Sequence, residues 1–210
     1  MAKRKRKPKK LFFALLLVIL VLVAALLIYK IFFSKTEEVK EAKIVGKIPK
    51  YGYVLKETKT ETYKKMFNEL KEILEADKVD EEAYAKKITE MFIYDFYSLD
   101  DKAAKTDVGG TDFVYSNVLE NFLLNAEDTY YKYVESNIYN NRNQALPEVG
   151  DITISSVEQK PFKYGNVTDD LAYYVTVSWE YTKEDFSNYQ KEANLIFVHD
   201  GIKLVLVELQ

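Results

Sequence analysis

An uninterrupted uncharged run from Leu11 to Tyr29 constrains this chain more than any other stretch. At 1.5 Å per residue a helix of that length spans about 28 Å, the thickness of a bilayer's hydrocarbon core. Lys3, Arg4, Lys5, Arg6, Lys7, Lys9 and Lys10 stand immediately before it, and Tyr29, Lys30, Phe32 and Phe33 follow as an interfacial collar. Such a density of cations resists translocation and meets the anionic lipid of the inner leaflet. The pattern therefore predicts a cytoplasmic tail over 1–10, a transmembrane signal anchor over 11–33 and an extracytoplasmic remainder, in a single-pass plasma-membrane protein. A cleaved secretory signal is the competing reading, but its apolar region runs only about 7–15 residues and ends at a small-x-small site. Here Ala24 and Ala25 are adjacent.

Charge is segregated along the chain. Residues 1–30 hold eight Lys and Arg and no acid, which leaves the remaining body at net −11. A body of that sign repels a phosphate backbone, so nucleic acid is not an expected partner. No cysteine is present and histidine occurs once, which excludes disulfides, thiolate metal sites, cysteine nucleophiles and multi-histidine centres.

Residues 34–50 are charged and aperiodic, with Gly46 and Pro49 as breakers, and read as a linker ahead of a domain over 51–210. Tyr51–Leu55 reads as a short strand or turn. From Thr60, apolar residues at Tyr63, Met66, Phe67, Leu70, Ile73 and Leu74 recur at helical spacing. Asp80 is placed to cap a second helix reaching Tyr97. After the polar loop Ser98–Gly110, Thr111 or Asp112 caps a third helical stretch to about Ile138. Asn140–Gly150 is loop.

Beyond Gly150 the period switches from about 3.6 to 2, the mark of antiparallel strands. Ile152–Val157 is one strand, and Lys160–Lys163 continues it irregularly past Pro161 to a turn at Tyr164-Gly165-Asn166. Leu171, Tyr173, Val175, Val177, Trp179 and Tyr181 form the buried face of the clearest strand. Ala193–His199 and Ile202–Leu209 flank Asp200-Gly201, read as a type I′ hairpin turn between two central strands. The expectation is an α+β fold, in which one N-terminal transmembrane helix precedes three helices packed on a curved antiparallel sheet of about four strands.

Element order over residues 55–210, with Phe96-Tyr97, Gly109-Gly110 and the terminal Val198-His199-Asp200-Gly201-Ile202-Lys203-Leu204, resembles the nuclear transport factor 2-like (cystatin-like cone) fold. Behind one spanning helix, it is similar to extracytoplasmic domains of bitopic conjugation and type IV secretion assembly factors, and to uncharacterised membrane-anchored proteins of low-GC Gram-positive bacteria. The resemblance implies a domain that docks other proteins.

Chemistry is sparse in the sequence. His199 has no second histidine one turn away, and no serine lies in a Gly-x-Ser-x-Gly elbow. An acid pair at matched separation suffices for glycoside cleavage, and Asp95, Asp100, Asp101, Asp107 and Glu180 are the candidates. With 33 acids in the chain, most such clusters are solvated surface or helix caps. Gly109-Gly110-Thr111 could offer amides to an anion, or simply permit a turn. Aromatic residues suit glycan or protein recognition as well as half-buried strands. Trp179, Tyr173, Tyr181, Tyr130 and Tyr131 are the candidate ligand or partner residues, with Asn140-Asn141-Arg142-Asn143 as a polar rim. The expectation is a non-enzymatic, membrane-anchored protein-interaction domain without cofactor or metal, bound to envelope proteins or to itself. A cell-wall glycan hydrolase using a carboxylate pair, or a sensor or carrier for a small ligand around Trp179, is the alternative.

Overall fold

The computed structural model describes residues 16–23, 25 and 42–210, which fall into two compact units, Met1–Ala42 and Lys43–Gln210. In the first unit residues 16–23 are helical and their apolar side chains are exposed. Among the described residues no helix is long and apolar enough to cross a membrane. The basic residues Lys3 to Lys10, the collar of Tyr29, Phe32 and Phe33, and the rest of the expected anchor lie outside the described residues.

The second unit opens with a hairpin of β1 (Ile44–Ile48) and β2 (Tyr53–Lys56), joined by a 3-10 turn at Pro49–Tyr51. The expected linker over 34–50 therefore ends earlier, because Ile44 onward is folded structure and Ile48 is buried in the core. The supposed breakers have local structural roles. Pro49 starts the turn, and Gly46 lets β1 pass close to Leu55 and Phe67, where a Cβ would come within 3.2–3.3 Å of their side chains.

Helix α1 (Glu61–Glu75) begins where Thr60 Oγ1 accepts the Tyr63 amide, and α2 (Glu81–Tyr97) begins where the Asp80 carboxylate accepts the Ala83 amide. α1 buries Tyr63, Phe67, Leu70 and Leu74 on one face. α2 is amphipathic at its start and buried all round from Met91 to Tyr97, which makes it the central helix. The third helix departs from expectation at both ends. Thr111–Phe113 is a single 3-10 turn behind Gly110, and α3 (Ser116–Asp128) starts after Tyr115 with no side-chain cap. It stops ten residues before Ile138, where Thr129 leaves helical geometry at φ −119° and ψ −90°. The tertiary gain behind this stop is at Tyr131, which is fully buried and whose hydroxyl donates to the Phe96 carbonyl (2.6 Å) and accepts from the Gly109 amide (3.1 Å).

The main sheet is antiparallel in the order β3 (Val149–Gln159), β6 (Tyr173–Tyr181), β7 (Glu192–Asp200), β8 (Lys203–Leu209). A small hairpin, β4 (Phe162–Tyr164) with β5 (Val167–Asp169), is inserted between β3 and β6 and turns at Gly165-Asn166. Tyr173, Val175, Val177 and Trp179 on β6, Leu195 and Phe197 on β7, and Leu204 and Leu206 on β8 join the helical core. Leu171 does not share that face; it is exposed, and β6 begins two residues later. On the opposite face Ala172, Val198 and Val205 are covered by Phe162, Tyr164 and Tyr174. Thus β7 is apolar on both faces because two different layers cover it.

β8, expected to be central, is an edge strand. Its edge is blocked by a parallel bridge to Val114 and by the Tyr115 amide, which donates to the Leu206 carbonyl at 2.8 Å. The final hairpin is also shifted by one residue. Asp200 pairs with Lys203, so Gly201 and Ile202 are the central residues; Gly201 has φ +64° and Ile202 does not have positive φ. That excludes type I′, which needs positive φ at both positions, and places glycine first as in II′ turns.

Candidate functional site

The loop Ser98–Gly110 closes over a buried ionic cluster at the end of α2. Asp95 is bridged by Lys59 Nζ at 2.6 and 2.7 Å and by Lys102 Nζ at 3.1 Å, and Lys102 also meets Asp101 at 2.6 Å. The Gly110 amide donates to Asp95 Oδ2 at 2.8 Å. Two cations and two carboxylates make a neutral set, which is the condition under which charge survives burial. Burial alone would raise the Asp95 pKa, but the charges of Lys102 and Lys59 and the hydrogen bonds from Lys59 and Gly110 bring it down to about 2. Burial likewise opposes the charge on Lys102, and Asp95 and Asp101 overcome it and raise its pKa. The amides of Gly109-Gly110 thus already have partners: Gly109 meets the Tyr131 hydroxyl, and Gly110 meets the chain's own carboxylate.

The other candidate acids sit in separate surroundings. Asp107 accepts the Ala103 amide at 2.9 Å within its own loop. Asp100 has its pKa raised by burial and by the charges of Glu148 and Asp101. Glu180 is exposed on the outer face of the sheet and pairs with Lys191 at 3.1 Å. His199, the single histidine, donates from Nδ1 to Asp169 at 2.8 Å, and its Nε2 lies 3.6 Å from Glu81. The same Asp169 oxygen accepts the His199 amide at 2.8 Å, so this contact pins the inserted hairpin to β7. Among the described residues no group of three His, Cys, Asp or Glu is arranged to hold a metal ion.

The chain between α3 and β3 is an ordered excursion held by side chains. Arg142 donates to the carbonyls of Lys102 (2.8 Å), Asp100 (2.6 Å) and Glu135 (3.2 Å), and Gln144 bonds the Glu135 amide and the Tyr133 carbonyl. This framework presents Tyr133 (76% exposed), Ile138 (65%) and Tyr139 (80%) to solvent. The sequence marks Arg142 only as part of a polar rim; its role as the central pin depends on carbonyls forty residues away.

An open cleft of about 510 Å³ lies between α3, the end of α2 and the end of β8. Its floor and walls are Phe96, Tyr97, Phe122 and Tyr130, and Asn125 and Gln190 stand at its rim. Of the five aromatic residues singled out in the sequence, Tyr130 lines this cleft, and its hydroxyl is 2.9 Å from that of Tyr181. Tyr181 in turn donates to the Gln190 carbonyl at 2.8 Å. Trp179 is 2% exposed and packs on Tyr97 with ring centroids 4.3 Å apart. Tyr173 and Tyr131 are buried in the core. As site residues, Tyr97 and Phe122 were missed because helix periodicity marks a residue as apolar-facing without saying whether the facing layer fully covers it, and Asn125 and Gln190 because an exposed polar residue on a helix or in a loop carries no local signal of what it borders.

No family model matches the chain, and neither a curated protein nor a solved structure matches it.

Proposed function

We propose that the chain is a single-pass plasma-membrane protein whose extracytoplasmic α+β domain is a non-enzymatic docking module for envelope proteins or for a second copy of itself. The observation that carries this reading is the pinned excursion after α3, which shows Tyr133, Ile138 and Tyr139 to solvent on a framework built by Arg142 and Gln144. Large apolar and aromatic side chains on a pre-ordered loop bind at low entropic cost, and such residues dominate interface energetics. The anchor is supported by the uncharged run 11–29 behind seven cations. The order of helices followed by a four-stranded meander supports carrying the likeness to cone-like secretion and conjugation domains forward as part of the same proposal.

In-cell crosslinking and affinity capture of the full-length protein tests the reading. A specific envelope protein, or a crosslinked dimer, is expected with the native chain and is lost in Tyr133→Ser/Tyr139→Ser. Recovery of monomer alone across crosslinker lengths, or capture unaffected by the double substitution, counts against docking through this loop. A small-ligand carrier is the second reading, favoured by the aromatic cleft.

A further inference from the structure

Tyr97 is 2% exposed, yet its hydroxyl has no hydrogen-bond partner among the described residues. It is not a sealed orphan either, since Trp179 Nε1 is the single fully buried side-chain polar atom without a partner among those residues. The Tyr97 oxygen therefore keeps contact with open space, and the space that Tyr97 lines is the cleft beside α3. Water meets an oxygen open to a cleft, so a molecule seated there has to replace that hydrogen bond or lose its worth.

The rest of the cleft narrows the chemistry of that partner. None of the described lining residues is charged, in a chain where 30% of residues are. Asn125 has an exposed side-chain amide without an intramolecular bond among the described residues, and Gln190 donates from Nε2 to the Glu192 carbonyl while its Oε1 remains open. Tyr181 spends its proton on the Gln190 carbonyl, so Tyr130 donates to Tyr181 and its own oxygen is left as an acceptor. Aromatic rings below, uncharged donors and acceptors around them, and a volume in the range of small-ligand sites match a molecule that is neutral, rich in hydroxyls and able to stack on a ring.

We propose that this cleft binds a short neutral saccharide, with Tyr97, Tyr130, Asn125 and Gln190 supplying hydrogen bonds and Phe122 a stacking face. The proposal rests on the carrier reading of this cleft, names its ligand class, and uses a different surface from the excursion carrying Tyr133 and Tyr139. A charged saccharide is disfavoured because no lining group would compensate it. A purely apolar ligand would leave the amides and the Tyr97 hydroxyl unmatched.

The chain contains one tryptophan, and it packs on Tyr97, so fluorescence excited where tyrosine does not absorb comes from a single ring directly behind the cleft wall. The full-length protein in nanodiscs is titrated with chitotriose, N-acetylchitotriose, cellotriose and, as the apolar comparison, octanol. A saturable change is expected with the neutral N-acetylchitotriose or cellotriose and not with cationic chitotriose. Tyr97→Phe and Asn125→Ala are each expected to weaken it about tenfold, the loss of one hydrogen bond. Tyr133→Ser should leave it unchanged. Asn125 is exposed on α3, so its variant tests the site even if Tyr97→Phe disturbs packing, and near-ultraviolet circular dichroism checks both. No saturable response of the folded protein to any neutral saccharide overturns the proposal. So does a response to octanol alone, or saccharide binding that neither cleft substitution changes.

Discussion

At Asp95 burial and pairing pull in opposite directions, and the pairing wins. A carboxylate in the last turn of α2 faces the negative end of the helix dipole as well as desolvation, so its charge depends on Lys59, Lys102 and the Gly110 amide together. Lys102→Met should cost about 3 kcal/mol in urea denaturation, because it strips the buried carboxylate of one of two cations. Lys191→Ala, which breaks an exposed pair with Glu180, should cost less than about 0.5 kcal/mol. The pH dependence has a definite sign. The Asp95 pKa falls from 3.8 to about 2 on folding, so below pH 3.8 the unfolded chain binds a proton that the folded chain refuses. Its contribution, about 2 kcal/mol, is complete above that range and lost as pH falls towards 2. Lys102 acts in the mirror sense: its pKa is raised, so its contribution is present below 10.5 and fades as pH rises through the folded value. Denaturation midpoints from pH 2 to 6 check the acid limb, and Asp95→Asn should flatten it.

Two connections between elements rest on a few residues each. The loop after α2 returns to the helix at Gly109, where a Cβ would collide with the Asp95 carbonyl, and at Gly110, which has φ +73° and lies against the Phe92 ring. Gly109→Ala should destabilise by about 1–3 kcal/mol or more and accelerate amide exchange through 98–110, as the loop lifts from the helix. The inserted β4–β5 hairpin is attached through Asp169, which accepts the amides of His199 and Leu171 and the His199 ring N–H. Asp169→Ala should speed amide exchange in 162–169 selectively and leave β6 and β7 protected, since those strands pair with each other independently. Equal loss of protection across the main sheet would show that the hairpin supports it instead. The third helix illustrates the limit of periodicity at this scale. Its apolar spacing continues past Asp128, but the chain leaves the helix so that Tyr131 can reach Phe96 and Gly109.

For the whole molecule, the proposed anchored topology has a direct check. In intact cells a carboxyl-terminal tag should be removed by external protease while an amino-terminal tag is protected, and the protein should resist alkaline carbonate extraction; the opposite accessibility would overturn the orientation. Sequence alone determined much of the domain's local structure. The start of the helical pattern at Thr60, the cap Asp80, the end of α2 at Tyr97, the 3.6-to-2 change in period and the alternation from Tyr173 to Trp179 are all visible in it, because each depends on neighbours within one or two turns. Tertiary structure decided what depends on contacts between distant segments. It made β8 an edge strand shielded by Val114, gave β7 a second cover in the inserted hairpin, and drew Ile44–Ile48 into the fold. The candidate sites divide in the same way. Tyr130 and Tyr181 could be picked out as aromatic residues at the margin of a periodic face. The cleft at Tyr97, the Arg142 pin and the Lys59–Asp95–Lys102 cluster could not, because whether a side chain is covered, open or paired is set by groups far along the chain, and local spacing carries no information about them.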